Sequence, residues 1–191
     1  MRSVVIAVML CGLICNLGLA QVKPTPGLQP TPLEAFARQP TAHLMWSAQV
    51  GRIESTEACA VITVLVIEDS VHPPHRMRGV RIDLENKAAR DQIYLDETKL
   101  AAVKNAVDEI ASGIQEYRSD QDRTPFRYYG AAEFWRPNEN VHTLNVAYYI
   151  APDSSGLSLS AKKTQQFRFP DHSPAELAEA IGRAMAKLQK R

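Results

Sequence analysis

Two histidines three residues apart are the side chains in this sequence that come nearest to a metal-site spacing. His72 and His75 flank two prolines, and Glu68 comes shortly before them. Two imidazoles and a carboxylate are suitable ligands for Zn²⁺ or Cu²⁺. However, no third ligand follows at a diagnostic spacing, and the sequence has no H-E-x-x-H, C-x-x-C or Asp-rich calcium motif. The loop at 68–75 is therefore the alternative site, where His72, His75 and Glu68 would hold a metal or serve a small hydrolase.

Other arrangements for catalysis find little support in the sequence. Ser155 precedes a glycine in a predicted turn, but the Gly-x-Ser-x-Gly pattern of a nucleophile elbow is absent. No Gly-rich phosphate loop follows a predicted strand. Cys59 is the only cysteine after residue 20, and its apolar neighbours predict a small strand residue rather than a nucleophile. The sequence thus predicts no catalytic residue and no cofactor, and it favours a binding protein over an enzyme.

A second candidate site comes from aromatic residues in two predicted strands, 126–135 and 141–151. Successive strand residues face opposite sides of a sheet, so each strand has a core set and an outer set. The core set expected in the first strand is Phe126, Tyr128, Ala132 and Phe134. The outer face would then combine aromatic and polar side chains: Arg127, Tyr129, Glu133, Trp135, Asn145 and Tyr149. Such a face suits a protein, peptide or glycan ligand. A bulge at Gly130 would move some of these side chains to the other face.

The elements that must position these residues form two groups, each of strands followed by a helix. The first group has strands predicted at 43–53, 58–69, 79–85 and 92–95. A helix from about 97 to 117 follows, and its apolar residues recur at three- and four-residue steps.

The second group repeats this plan. It has strands predicted at 126–135, 141–151 and 157–169, and the run Ser173-Pro174-Ala175-Glu176 then starts a second amphipathic helix. The predicted fold class is α+β: two antiparallel β-units, about seven strands in all, each followed by one amphipathic helix packed on the sheet. Residues 41–191 form one domain in this interpretation, with a pseudo-repeat divided near 118–125.

This layout resembles small exported bacterial α+β proteins of unknown function. The resemblance rests on the order of the elements, and it implies no activity and no site residues.

The first twenty residues predict export. One positive charge at Arg2 precedes a long apolar run, and Gly18-Leu19-Ala20 supplies small residues for cleavage before Gln21. Residues 1–20 are therefore interpreted as a signal peptide, with no stable membrane anchor after cleavage and a periplasmic or extracellular location. Residues 21–40 read as a Pro-rich linker with a short helix that begins after Thr31.

The charge balance limits the class of partner. The chain has 22 Lys and Arg against 21 Asp and Glu, without a basic stripe, so a nucleic-acid partner is not expected. The sequence therefore predicts an exported non-enzymatic binding or interaction module whose partner is a protein, peptide or glycan. The alternative is a small periplasmic hydrolase or metal-binding protein that uses the 68–75 loop.

Overall fold

The computed structural model describes residues 29–71, 75–120, 124–135, 143–162 and 165–190. These residues form three helices and eight strands in the order α1 (Pro32–Ala37), β1 (Ala42–Glu54), β2 (Ala58–Asp69), β3 (Arg76–Asn86), β4 (Arg90–Asp96), α2 (Glu97–Ser119), β5 (Arg127–Phe134), β6 (Leu144–Ala151), β7 (Ser154–Lys162), β8 (Gln165–Phe169) and α3 (Ser173–Gln189). Strands β1 to β4 form sheet 1 and strands β5 to β8 form sheet 2, each in sequential antiparallel order.

The predicted α+β architecture is confirmed, because each antiparallel sheet is followed by one long helix that packs on the strands. Sheet 2 has one strand more than expected. The segment predicted as a single strand at 157–169 is divided between β7 and β8, and Lys162 pairs with Gln165 where the chain reverses. The residues at this reversal include no Gly, Pro, Asn or Asp, so the usual turn signal is missing from the sequence.

One core joins both sheets to the two long helices. Strand β2 is central in sheet 1, and its inward residues Ala60, Ile62 and Val64 have no exposed surface. The apolar stripes of both helices are buried against the same core: Leu100, Val103, Val107 and Ile110 in α2, and Leu177, Ile181, Ala184 and Leu188 in α3. We call the face of each sheet that meets this core its core face, and the opposite face its outer face.

Helix α1 covers one end of the outer face of sheet 1. The Thr31 hydroxyl caps this helix by accepting the backbone N–H of Glu34 at 3.2 Å, as its sequence predicts. Leu33 and Phe36 then pack on Leu65 and Ile67 of β2 in a second, smaller apolar cluster. This end of sheet 1 is therefore buried on both faces.

The predicted signal peptide, residues 1–20, lies outside the described residues, so its removal stays a prediction. Within the described ranges, no helix has the length and apolar character needed to span a membrane.

Candidate functional site

A bulge in β5 decides which aromatic side chains reach the outer face of sheet 2. Tyr129 pairs with Tyr148 and Ala132 pairs with Val146, so β5 has one residue more than β6 between these two pairs. Gly130 lies in the bulge with a φ of 55°, a left-handed conformation that glycine adopts without steric cost. The alternation of β5 is therefore reversed on the N-terminal side of Gly130.

Tyr129 consequently lies on the core face rather than on the outer face. Its ring stacks on Tyr117 of α2, with ring centroids 5.0 Å apart and planes 13° apart. Arg127 lies over the same Tyr129 ring at 5.6 Å and donates to the backbone carbonyl of Asp120 at 3.0 Å. Both predicted ligand residues thus fasten β5 to the C-terminal end of α2.

Trp135 closes one end of the core. It follows β5 with a φ of 68°, and its half-buried ring packs against the core cluster. The ammonium group of Lys99 lies 4.9 Å from the centre of the ring, and the Thr143 hydroxyl donates to the Trp135 carbonyl at 3.0 Å. The prediction that Tyr129, Trp135 and Tyr149 share one outer face is therefore wrong, because the bulge and the turned Trp135 backbone separate them.

The other predicted ligand residues do lie on the outer face of sheet 2. Glu133 and Asn145 are direct partners across β5 and β6. Tyr149 is opposite Tyr128, a residue that the simple alternation assigned to the core. A binding role for these residues stays a prediction.

The outer face of sheet 2 carries a cluster that we call the aromatic–arginine patch, formed by Phe126, Tyr128, Tyr149, Gln166 and Arg168. The guanidinium carbon of Arg168 lies 4.9 Å from the centre of the Phe126 ring and 5.1 Å from that of Tyr149. The Tyr128 hydroxyl donates to the side-chain carbonyl of Gln166 at 2.8 Å. Phe126 is 48% exposed and Tyr128 is 43% exposed, whereas Tyr149 is only 5% exposed. The patch therefore presents two accessible rings beside one guanidinium.

Gly156, next to Tyr149 in sheet 2, allows the backbones of β7 and β8 to approach closely. It is the partner of Tyr149 on β7, and a Cβ atom there would come within 1.9 Å of the Phe169 carbonyl oxygen. Only glycine fits this close approach of two backbones.

A separate polar cluster lies where α2, sheet 2 and α3 meet. Tyr148 and Ser155 each donate a hydroxyl to Asp171 at 2.8 Å, and Arg118 forms an ion pair with the same carboxylate. Arg118 also donates to the Tyr148 oxygen at 3.3 Å. Burial raises the pKa of Tyr148 above the ordinary value of 10.0. The cluster therefore connects elements, and its members are too far apart in the sequence to be recognised as a motif.

The alternative metal site is not assembled by the residues that the structure describes. Glu68 is occupied by an ion pair with Arg76 at 2.8 Å. The ring of His75 packs edge-on against Phe36, with centroids 4.9 Å apart, on the face of sheet 1 that α1 covers. Glu68 follows a residue on that face, so its own side chain points to the opposite face. His72 lies outside the described residues, and no group of three or more His, Cys, Asp or Glu within them is placed to hold a metal.

Comparison with known proteins adds no functional assignment. No family model matches this chain, and no curated protein matches its sequence. The arrangement of its own side chains is thus the basis for a functional proposal. Sequence reasoning missed Phe126, Tyr128 and Arg168 as surface residues. A bulge at Gly130 would have placed Phe126 and Tyr128 on the outer face.

Proposed function

We propose that this protein is an exported, non-enzymatic interaction module that binds a protein segment through the aromatic–arginine patch. The observation that carries the proposal is the exposure of Phe126 and Tyr128 beside the guanidinium of Arg168, which lies over the Phe126 ring. Export is proposed from the signal-peptide pattern of residues 1–20.

The composition of the patch supports a protein ligand. Aromatic residues and arginine are enriched at protein interfaces, and Tyr, Trp and Arg carry much of the binding energy there. Their rings supply large contact areas at little cost in conformational entropy, since few torsions must be fixed. The patch is already ordered by its own contacts, including the Tyr128–Gln166 hydrogen bond, so little is lost when a ligand fixes it.

Exposed apolar residues elsewhere provide a matched control. Leu44 is 56% exposed and Met45 is 49% exposed on β1, an exposure similar to that of the patch rings. They lie on sheet 1 and are not part of the patch. Exposure alone therefore does not distinguish the two places, and the proposal depends on the grouping of rings with a cation.

The experiment selects ligands with the intact exported protein. A phage-displayed library of random linear peptides is selected on the parent protein, and recovered peptides are measured against Phe126→Ala, Tyr128→Ala and Leu44→Ala. We expect each patch variant to weaken binding by at least about tenfold, which corresponds to about 1.4 kcal/mol. Leu44→Ala should leave binding unchanged.

Two results would overturn the proposal. Recovered peptides that bind the patch variants as tightly as the parent would move the ligand surface elsewhere, and so would the failure to recover any peptide. The intact mass of the exported protein tests the other part, since it should correspond to a chain that begins at Gln21. A chain that retains Met1 would contradict export.

A further inference from the structure

We propose that Arg168 is a carboxylate receptor, and that the ligand of the patch is a peptide with an acidic side chain next to an apolar one. This inference rests on the proposed function and names the chemistry that the patch selects. Arg168 differs from the other described arginines in the partners of its guanidinium.

Every other arginine that the structure describes forms an ion pair with an aspartate or glutamate of the chain: Arg38, Arg52, Arg76, Arg78, Arg81, Arg90, Arg118, Arg127 and Arg183. Arg168 has no such partner among the described residues, and the contacts of its guanidinium are the rings of Phe126 and Tyr149. A guanidinium has five N–H donors and is always charged at physiological pH. Within the described ranges no group accepts a hydrogen bond from the Arg168 guanidinium, so its donors are available to a ligand.

The backbone and the rings together fix the position of this guanidinium. The Ser55 hydroxyl, in the turn between β1 and β2, donates to the Arg168 carbonyl at 3.0 Å and ties β8 to sheet 1. The cation–π contacts with the Phe126 and Tyr149 rings favour this position of the guanidinium. An arginine held in this way loses less side-chain entropy when an anion binds, because its rotamer is already restricted.

The chemistry of the surroundings favours a carboxylate from a peptide. Arg168 is the one cation of the patch, and the planar fork of a single guanidinium matches a single carboxylate with two parallel hydrogen bonds. Phe126 and Tyr128 offer apolar contact directly beside the cation, which suits an apolar neighbour of the acidic residue.

A double-mutant cycle tests this inference. A recovered peptide and its Glu→Gln or Asp→Asn counterpart are measured by calorimetry against the parent protein, Arg168→Gln and Arg168→Lys. We expect the amide peptide to bind the parent about tenfold more weakly, and the two peptides to bind Arg168→Gln equally. Arg168→Lys should recover only part of the preference, because lysine lacks the planar fork. Arg90→Gln is the matched control, since Arg90 is exposed but paired with Glu85 on sheet 1, and it should retain the full preference.

The outcomes separate this inference from the proposed function. Peptides that depend on Phe126 and Tyr128 but show no acidic preference would overturn the role of Arg168 and leave the interaction module in place. An acidic preference that persists in Arg168→Gln would do the same. Binding of polygalacturonate that requires Arg168, with no acidic peptide recovered, would assign the carboxylate to a glycan and overturn the peptide ligand. The melting temperature of each variant shows that it remains folded.

Discussion

The two sheets are alike on their core faces and different on their outer faces. On sheet 1, helix α1 buries Leu65 and Ile67, and the described Trp46 and Tyr94 of its strands are partly buried. On sheet 2, Phe126 and Tyr128 are nearly half exposed, and no described element buries them. Both units thus consist of four strands and a helix, but they differ in how the outer face of the sheet is covered.

This difference shows that the apolar residues of an outer sheet face can either be buried by the chain itself or stay exposed. Sheet 1 uses part of its own chain, and each Å² of apolar surface that α1 removes from water stabilises the fold by about 25 cal/mol. Sheet 2 leaves its rings in contact with water, which adds little to folding but keeps surface area available for another molecule. The comparison predicts that equal substitutions on the two outer faces have unequal effects.

The largest expected effect compares the same residue type on the two faces. Phe36→Ala removes a ring that is 3% exposed and should lower the free energy of unfolding by about 3–5 kcal/mol. Phe126→Ala removes a ring that is 48% exposed and should cost less than about 1 kcal/mol. Urea denaturation of both variants and the parent gives these values. Equal losses would mean that the patch is part of the folding core, and the comparison between the outer faces would fail.

A region could be predicted from the sequence where the residues that determine its structure lie close together in the chain. The helices could be predicted because the apolar stripe of α2, from Leu100 to Ile110, and the start of α3 are complete within their own segments. The hairpin between β7 and β8 was missed because its reversal lies in the polar run 162–166, which contains no Gly, Pro, Asn or Asp. Local pattern thus identified the elements, although one reversal escaped it.

The site was harder to predict because its parts come together only in the sheet. A single extra residue at Gly130 exchanged Tyr128 for Tyr129 on the outer face, and alternation by itself does not locate such a bulge. Arg168 meets Phe126 across the whole width of sheet 2, a contact that depends on the register of every strand between them. The sequence therefore located a candidate surface on the correct strands, but it assigned several of the wrong side chains to that surface.

A smaller effect is expected at the joint between the two units. Tyr148 donates to Asp171 and accepts from Arg118, so it connects sheet 2 to the end of the helix that follows sheet 1. Tyr148→Phe keeps the buried ring but removes this hydroxyl, and we expect a loss of about 1–3 kcal/mol in unfolding free energy. Ser119→Ala, at an exposed position near Arg118, controls for the loss of a hydroxyl from the same region. A Tyr148→Phe protein as stable as the parent would show that the cluster does not hold the units together.

The smallest expected effect on stability concerns the carboxyl group of Asp96, which lies next to helix α1. Asp96 at the end of β4 is 8% exposed, and the backbone N–H of Leu33 in α1 donates to its carboxyl group. Burial raises the pKa of Asp96 above the ordinary value of 3.8, although Leu33 and the nearby charge of Lys99 act in the opposite direction. A carboxyl group whose pKa is raised by folding binds its proton more tightly in the folded state than in the unfolded state.

The sign of the pH dependence follows from this shift in pKa. The contribution of Asp96 to stability is fully present below pH 3.8 and is lost as the pH rises through the folded-state pKa. Asp96→Asn remains uncharged, so its unfolding free energy should increase relative to that of the parent as the pH rises to neutrality, and the two proteins should differ least in acid. Urea denaturation across this range measures the difference, and Asp108→Asn on the exposed side of α2 controls for the change in net charge. If the difference in unfolding free energy between Asp96→Asn and the parent is the same at every pH, folding does not raise the pKa of Asp96. The cover of sheet 1 would then impose no electrostatic cost, and the two outer faces would differ only in the apolar surface that they bury.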